Sequence, residues 1–341
     1  MKKLRIAING AGRIGRAFYK LSRERDDMEV VAMNDLGSLE NVAYLLKYDS
    51  AYGVSNFDVE VGEGKLVVDG KEITMLSEKD PALLPWKDMD IDIVIESTGF
   101  FTKFEAARAH ITAGAKRVVI SAPAKDDPTN ETEATVLMGI NDEKLEKCEV
   151  SSNASCTTNA GSPLMAILDE AVGVEKALLN TVHGYTASQS LVDGPSKKDL
   201  REGRAAAQNI VPSTTGAAIA VTKALPNLVG KFDGISTRVP VIVGSIVDIT
   251  FISKRNTTAD EVNEILTKAS KEERWDGVFT VTTDDLVSSD IKGNTHASIA
   301  DLKFTRVVDG NLVKVMAWYD NEMGYTSALL KHVAKLGSYI K

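Results

Sequence analysis

The clearest candidate for covalent chemistry is Cys156, which lies in the polar run SNASCTTN at 152–159. An apolar strand pattern precedes this run and a helical pattern at 163–171 follows it, which predicts Cys156 in the first turn of a helix. Peptide N–H groups and the positive end of a helix dipole stabilise a thiolate there. A small buried apolar role stays open, although the flanking Ser and Thr residues favour a reactive thiol.

A thiol nucleophile needs a base, and the chain has only four histidines. His110 and His332 fall within helical patterns and His296 in a polar stretch, positions typical of packing or surface residues. His183 ends an apolar strand pattern and opens a polar loop, so its ring is expected at the edge of a sheet. We therefore take His183 as the candidate partner of Cys156.

A second candidate site is the G-x-G-x-x-G turn of Gly10, Gly12 and Gly15, between the first apolar run and a helical pattern. Glycines there permit a tight turn and let backbone N–H groups approach a pyrophosphate. Asp35 follows the next apolar run, where a carboxylate can accept hydrogen bonds from a ribose diol and would repel a 2′-phosphate. NAD is thus favoured over NADP. A purely structural turn is the alternative, but strand, helix and acid together favour dinucleotide binding.

The two sites suggest one reaction. A thiolate that adds to an aldehyde gives an alkoxide, which can expel hydride to an oxidised nicotinamide and leave a thioester on the protein. An imidazole would keep the thiol ionised and, with the backbone N–H of Cys156, stabilise the oxyanion.

Strands that alternate with helices must position these groups. Apolar runs at 4–9, 29–34, 91–96 and 117–121 predict strands, patterns at 13–22 and 103–113 predict helices, and 57–76 predicts a hairpin. This alternation predicts a parallel sheet with ligands at the carboxyl ends of its strands.

After Cys156 the pattern changes. Strand-rich stretches occur at 176–183, 234–251 and 314–319, and helices are expected near 217–225, 258–271 and 327–336. The sequence therefore predicts an α/β protein with a Rossmann-type dinucleotide-binding domain at 1–155, completed by a C-terminal helix at about 320–341. Residues 156–319 are predicted to form a second, α+β catalytic domain on a mostly antiparallel or mixed sheet.

Composition excludes several classes of protein. The 341 residues are 43% hydrophobic and 26% charged, typical of a globular chain of two domains. The net charge is −8 without a basic block, so nucleic acid is not expected as the main partner. The N-terminal apolar run is too short for a secretory signal and no stretch is long enough for a membrane span. Cys148 and Cys156 match neither zinc-ligand spacing nor a disulfide framework, so we expect no metal and a cytoplasmic location.

Longer runs carry a resemblance: INGAGRIGR at 8–16, LLKYDS at 45–50, SNASCTTN at 152–159, HGYT at 183–186 and WYDNEMGY at 318–325. From about residue 4 to 336 the chain closely resembles phosphorylating glyceraldehyde-3-phosphate dehydrogenases. The resemblance implies NAD-dependent oxidation of glyceraldehyde 3-phosphate, with inorganic phosphate releasing 1,3-bisphosphoglycerate.

The resemblance also implies roles for single residues. Cys156 would be the nucleophile and His183 the acid/base. Thr186 and Arg238 would hold the substrate's phosphate, and Ser155, Thr157, Thr215 and Gly216 the attacking inorganic phosphate. The cofactor positions would be Gly10, Gly12, Arg13, Ile14, Gly15, Asp35, Ser121 and Asn321, with Asn321 orienting the carboxamide.

The loop DGPSKKD at 193–199 resembles the family's loop that reaches a neighbouring subunit, which implies a homotetramer. Several positions depart from the usual family pattern, among them Ala11, Ser188 and Glu202. Ala11 replaces a common Phe, and Ser188 and Glu202 replace an acid and an arginine that some members carry, which leaves the phosphate contacts open.

Three other functions share some of these features. A related enzyme that oxidises erythrose 4-phosphate would use the same chemistry, but Thr186 and Thr215 resemble the triose enzyme's phosphate loops. A papain-like hydrolase places its histidine much further from its cysteine. A nucleotide-binding regulator would need neither Cys156 nor His183.

Overall fold

The chain divides into two compact units in a computed structural model that describes residues 3–196 and 199–340. The first unit comprises Met1–Val136, Asn141–Ala154 and Leu329–Lys341, and the second comprises Leu137–Ile140 and Ser155–Ala328. The domain limits expected from the sequence, 1–155 and 156–319, remain predictions.

The first unit is built on a nine-stranded sheet in the order β10-β11-β9-β8-β1-β2-β7-β6-β5, parallel from β10 to β7 and antiparallel at β6 and β5. A ribbon of β3 and β4 lies outside it. The strands are β1 (Leu4–Asn9), β2 (Met28–Asn34), β3 (Tyr48–Asp49), β4 (Gly53–Val54), β5 (Val59–Gly62), β6 (Lys65–Val68), β7 (Lys71–Leu76), β8 (Ile93–Glu96), β9 (Arg117–Ile120), β10 (Glu133–Thr135) and β11 (Val150–Ser152).

The central strands of this sheet are buried on both faces. Ile6, Ala7 and Ile8 of β1 are fully buried, as parallel strands covered by helices must be. The helices are α1 (Arg13–Ser22), α2 (Leu39–Lys47), α3 (Phe104–Ala107) and α4 (Ala109–Thr112). β1 lies between β2 and β8. The strands that follow β1 in the chain are first added on the β2 side of the sheet, and the strands from β8 onward are added on the other side. This is the switch point at which such sheets bind ligands.

Two predictions for this unit need correction. The hairpin expected at 57–76 is an antiparallel meander of three strands, β5, β6 and β7, and β7 also pairs in parallel with β2. The helix expected at 103–113 is two short helices that meet at Arg108. The break coincides with tertiary contacts: Arg108 donates hydrogen bonds to Glu133 and Glu149, and His110 turns inward to Glu96.

The second unit is built on a mixed, mostly antiparallel eight-stranded sheet in the order β13-β14-β12-β15-β19-β17-β16, with β18 on β19. The strands are β12 (Val174–Gly184), β13 (Val211–Thr214), β14 (Phe232–Val239), β15 (Ser245–Ser253), β16 (Phe279–Thr282), β17 (Ser298–Asp301), β18 (Arg306–Val308) and β19 (Leu312–Tyr319), and the helices are α5 (Cys156–Val172), α6 (Ala217–Ala224) and α7 (Ala259–Ala269). The predicted α/β class and both kinds of sheet are confirmed.

The core of this unit lies between one face of the sheet and the helices. Leu164 and Leu168 of α5 pack with Leu179 of β12 and Ile249 of β15 in one apolar cluster. The strand expected over 234–251 is two strands, because Pro240 and the left-handed Gly244 interrupt the pattern. The last helix, α8 (Met323–Ser338), begins earlier than expected and runs from the second unit into the first.

Within the described ranges, no helix is both long and apolar enough to cross a bilayer. Of the loop at 193–199, Lys197 and Lys198 lie outside the described residues.

Candidate active site

Cys156 is the first residue of α5, which confirms its predicted position in the first turn of a helix. The Ser155 side chain caps this helix and accepts a hydrogen bond from the Thr158 N–H at 3.1 Å. Just before the cap, Ala154 has φ +55°, a left-handed conformation that costs a non-glycine residue about 1–2 kcal/mol. Such strain is common next to functional groups, and here it turns the chain into the helix that carries the thiol.

His183 lies near the end of β12, and its Nε2 is 3.4 Å from the Cys156 sulfur. The imidazole is almost fully buried, whereas Cys156 keeps some exposure and both cysteines of the chain are free. In the register of β12 and β14, His183 lies opposite Arg238. The fold therefore brings a thiol, an imidazole and a guanidinium together.

The other ring nitrogen of His183 has two neighbours that suit different protonation states. The Gly184 carbonyl oxygen is 2.6 Å from Nδ1 and can accept from it when it carries a proton. The Arg238 Nη1 is 2.7 Å from the same nitrogen and can donate to it when it carries none. Nδ1 thus has a hydrogen-bond partner in either tautomer, and in the tautomer that carries Nδ1–H the free Nε2 can take the proton of the thiol.

Burial dominates the electrostatics of the pair. It raises the pKa of the Cys156 thiol, while the charge of Arg238 and hydrogen bonds from Thr157 act in the opposite direction. Burial, aided by Arg238, lowers the pKa of His183 to about 3. Each ion alone is disfavoured because it loses water. A thiolate and an imidazolium in contact compensate each other, so the two groups titrate as a pair.

Tyr319 supports this site and was missed in the sequence. Its buried hydroxyl is 2.9 Å from the Thr157 hydroxyl and 2.7 Å from the Thr181 hydroxyl, so it links the first turn of α5 to β12. Its ring meets His183 edge to face at 5.9 Å between centroids. Burial raises the pKa of the Tyr319 phenol, which keeps it protonated. The inward alternation of β19 is the signal that could have indicated it.

Asn321 lies in the same unit, just after β19. Its Oδ1 accepts hydrogen bonds from the Gly244 N–H at 3.0 Å and the Ser245 hydroxyl at 3.3 Å, which fixes the direction of its amide N–H₂. Ser245 also accepts from the Gly184 N–H at 3.2 Å and so joins Asn321 to the strand end that carries His183. Nothing in the sequence indicated Ser245.

The candidate phosphate ligands are not all in contact with one another. Thr186 is 3.1 Å from the Ser188 hydroxyl, Thr215 accepts from the Ala217 N–H, and Gly216 caps α6. The Thr157 hydroxyl is buried against Tyr319, and Glu202 accepts a hydrogen bond from Ser213 at 2.8 Å. In the part of the chain that is described, no cluster of three His, Cys, Asp or Glu residues could hold a metal.

In the first unit, the glycine turn borders a cavity of about 470 Å³. Its lining residues come from the ends of β1 and β2 and from the loops that follow β1, β2, β7 and β8: Asn9, Gly10, Gly12, Asn34, Asp35, Leu36, Glu78, Lys79, Ser97, Thr98, Phe100 and Phe101. Gly10 has φ +98°, and a Cβ on Gly15 would lie 2.1 Å from the Gly10 carbonyl oxygen. Glycine at both positions lets α1 approach the end of β1.

Of the predicted cofactor residues of this unit, Gly10, Gly12 and Asp35 line the cavity, whereas Arg13, Ile14, Gly15 and Ser121 are not among its lining residues. Asp35 accepts from the Ala11 N–H at 2.7 Å and from the Gly37 N–H at 2.8 Å, which leaves lone pairs for a diol. Arg13 and Ile14 open α1, whose first N–H groups have no intrahelical acceptor. Ser121 follows β9 and is half-buried. A dinucleotide would fit these features. The open space beside Gly12 and the N–H donors suit a pyrophosphate, and the carboxylate suits the adenosine ribose.

Comparison with known proteins identifies relatives of both units. The family profile "Glyceraldehyde 3-phosphate dehydrogenase, NAD binding domain" matches residues 4–104, and "Glyceraldehyde 3-phosphate dehydrogenase, C-terminal domain" matches residues 155–321. Proteins named glyceraldehyde-3-phosphate dehydrogenase from Streptomyces coelicolor and Clostridium acetobutylicum are each 46% identical to this chain, over 99% of both chains. A protein from Aspergillus oryzae named glyceraldehyde-3-phosphate dehydrogenase B is 45% identical over 98% of both chains.

Proposed function

Because the chain belongs to the glyceraldehyde 3-phosphate dehydrogenase family, we propose that it oxidises glyceraldehyde 3-phosphate to 1,3-bisphosphoglycerate, with NAD as oxidant and inorganic phosphate as acyl acceptor. The reaction belongs to glycolysis and gluconeogenesis. The observation that carries the proposal is the 3.4 Å approach of the Cys156 sulfur to His183 Nε2 at the start of a helix.

In the first step the Cys156 thiolate attacks the aldehyde carbon. A carbon–sulfur bond forms, and the carbonyl π pair moves to oxygen, which takes a proton from His183 Nε2. The N–H of Cys156 at the helix start and the imidazole stabilise the oxygen while it is charged. Tyr319, through Thr157 and Thr181, keeps sulfur and imidazole at reacting distance.

In the second step His183 Nε2 removes the hydroxyl proton and the carbonyl bond forms again, which leaves a thioester on Cys156. Bound NAD supplies the acceptor for the hydride that leaves the same carbon, a two-electron oxidation of the substrate. The Gly184 carbonyl oxygen accepts from His183 Nδ1, which keeps its proton while Nε2 gains and loses one.

In the third step an oxygen of inorganic phosphate attacks the thioester carbon, and the carbon–sulfur bond breaks to regenerate the thiolate. We assign Ser155, Thr157, Thr215 and Gly216 to this phosphate, and Thr186 and Arg238 to the substrate's own phosphate. Hydroxyls and N–H groups suit a phosphate that must depart as product, because they bind it without several strong ion pairs. The engaged Thr157 hydroxyl contributes by holding the helix start.

For the cofactor, the proposal assigns the pyrophosphate to the turn of Gly10, Gly12 and Gly15 and to the N–H groups of Arg13 and Ile14. Asp35 is assigned to the hydroxyl groups of the adenosine ribose, where its negative charge would repel a 2′-phosphate. Ser121 and Asn321 are assigned to the nicotinamide end, where the fixed Asn321 amide N–H₂ can donate to the carboxamide oxygen.

We also propose a homotetramer in the cytoplasm. In the isolated chain, several apolar side chains are exposed on the segments beside the 193–199 loop, among them Leu191 at 82% and Leu200 at 85%. Others, such as Leu178 and Ile235, are exposed on the outer sheet face of the second unit. Apolar exposure of this extent favours burial against other subunits. A reducing compartment suits two free cysteines, one of which must stay a thiol.

The test is the absorbance of reduced nicotinamide during turnover. Glyceraldehyde 3-phosphate and erythrose 4-phosphate are compared with NAD or NADP, each with and without inorganic phosphate. We expect fastest turnover with the triose, NAD and phosphate together. Preference for the four-carbon sugar, or a rate indifferent to phosphate, would overturn the assignment.

A further inference from the structure

A buried polar network lies behind the cofactor cavity of the first unit, and the proposed reaction does not use it. Its centre is the carboxylate of Glu96, the last residue of β8, which is 1% exposed. Beside it, His110 of α4 is fully buried, with Nε2 at 3.0 Å from Glu96 Oε2. A carboxylate is retained in such a place only when its oxygens are fully hydrogen-bonded.

Glu96 meets that condition. Oε1 accepts from the Thr98 N–H at 2.9 Å and from the Thr98 hydroxyl. Oε2 accepts from Asn9 Nδ2 at 2.6 Å and faces His110 Nε2. These contacts occupy the roughly four acceptor positions of a carboxylate. Glu96 therefore has no free acceptor position for a ligand. Any role in binding must be indirect, through the positions of the residues that donate to it.

The state of His110 is fixed by Trp86. The indole Nε1–H can only donate, and it lies 3.0 Å from His110 Nδ1. Nδ1 is therefore the acceptor, and Nε2 carries the proton that is donated to Glu96. The imidazole is thus a neutral spacer between a fully buried indole and the carboxylate.

The network ends on the wall of the cavity. Asn9 Oδ1 accepts from Asn34 Nδ2 at 2.7 Å. Asn34 in turn accepts from the Glu78 N–H and donates to the Glu78 carbonyl oxygen, both at 2.8 Å. Asn9, Asn34, Glu78 and Thr98 all line the cavity of about 470 Å³. One carboxylate thus sets the positions of residues from four separate segments of that wall.

The glycine turn depends on the same atoms. A Cβ on Gly10 would lie 2.7 Å from the Thr98 nitrogen, so the turn packs directly on the backbone that Glu96 holds. An amide at position 96 would present one N–H₂ group either to the Thr98 donors or to those of Asn9 and His110. Two donors would then face each other, and one side of the network would have to move.

We propose that Glu96, buttressed by His110 and Trp86, is a positioning residue that preorganises the cavity wall for the adenosine end of a dinucleotide. The proposal rests on the proposed function for the identity of the ligand. It predicts that loss of the carboxylate weakens binding of the adenosine half while the chemistry at Cys156 is unchanged, because Glu96 lies in the other unit.

The test compares Glu96→Gln with wild type by calorimetry, with NAD and with ADP-ribose, which lacks the nicotinamide. We expect Kd to rise about tenfold for both ligands, an effect common for residues that orient the ligand-binding groups without contacting the ligand. The kcat at saturating NAD should stay within about twofold. The matched control is Asp92→Asn, since Asp92 is a buried carboxylate of the same unit that accepts from the Arg5 N–H at 2.8 Å and does not line the cavity.

Trp86→Phe is the second variant, and it carries the test if Glu96→Gln does not fold. It removes only the donor to His110, so we expect a smaller rise in Kd of two- to threefold. Unchanged ADP-ribose affinity in the folded variants would overturn the proposal, and so would an equal loss in Asp92→Asn. Failure of wild type to oxidise glyceraldehyde 3-phosphate would instead count against the proposed function, since ADP-ribose binding is measured without turnover.

Discussion

The cofactor cavity of the first unit and the thiol site of the second both depend on a buried histidine, and they use it in opposite ways. His110 has one assignable state, because Trp86 donates to one nitrogen and Glu96 accepts from the other. At His183 the Gly184 carbonyl oxygen can accept from Nδ1, while Nε2 faces a thiol with which it can exchange a proton. A binding site benefits from a ring whose donor and acceptor are both held by fixed partners, whereas acid–base catalysis needs one whose proton can move.

The largest expected effect separates the two regions. Cys156→Ser should lower kcat roughly 10³-fold or more, because a hydroxyl is a far weaker nucleophile than a thiolate. NAD affinity, measured by calorimetry, should stay within about twofold. Cys148→Ala is the control: it removes a fully buried thiol from the first unit, and we expect full activity with a stability loss of about 1 kcal/mol. A serine variant that keeps a tenth of the wild-type rate would contradict the thioester route.

His183→Asn tests whether the second region depends on a titrating pair. We expect kcat to fall about 10²- to 10⁴-fold, the usual contribution of a positioned acid–base group. Alkylation of Cys156 by iodoacetamide at pH 7 should also slow, because burial raises the pKa of the thiol and its imidazolium partner is gone.

Cys148 is the internal reference for that labelling experiment. Burial raises its pKa to about 11, so it should stay a slowly reacting thiol at pH 7 in wild type and variant alike. Equal labelling of the two cysteines in wild type would show that His183 does not activate Cys156.

Asp35→Asn tests the corresponding claim for the first region, that it binds without taking part in chemistry. Loss of the charge should raise KM for NAD about 10- to 100-fold, the value of one or two charge-assisted hydrogen bonds. Discrimination against NADP should fall with it, because the repulsion of a 2′-phosphate is removed. Steady-state kinetics with both cofactors measure this, and kcat with NAD should change less than twofold. A large fall in kcat with unchanged KM would contradict the division of labour.

The sequence allowed local features of both regions to be predicted. The range of α1, the tight turn at Gly10 and the helix start at Cys156 all follow from short-range patterns of glycines, polar caps and apolar runs. The alternating runs likewise indicated one parallel and one mixed sheet.

What the sequence did not indicate depends on contacts between distant segments. Tyr319 meets Thr157 and Thr181 only because β19 and β12 both flank β15, and Ser245 meets Asn321 across the same sheet. The Glu96 network was missed for the same reason. Its members are His110 of a helix, the strand ends Asn9, Asn34 and Glu96, and the indole of Trp86. No spacing of these residues in the sequence predicts that they contact one another.

The smallest expected effect tests a third buried histidine, in the first unit. His332 of α8 accepts from Ser151 at Nε2 over 2.8 Å and donates from Nδ1 to Asn153 over 3.3 Å, and burial lowers its pKa to about 3. The unfolded chain gains this proton near pH 6.5 and the folded chain does not, so stability present above pH 6.5 is lost as the pH falls toward 3. Between pH 6 and 5 the loss is about 1 kcal/mol for one such histidine. Urea unfolding at fixed protein concentration should therefore show a smaller decline for His332→Asn than for wild type, with turnover at pH 7 unchanged, and identical declines would mean that His332 accepts a proton in the folded state.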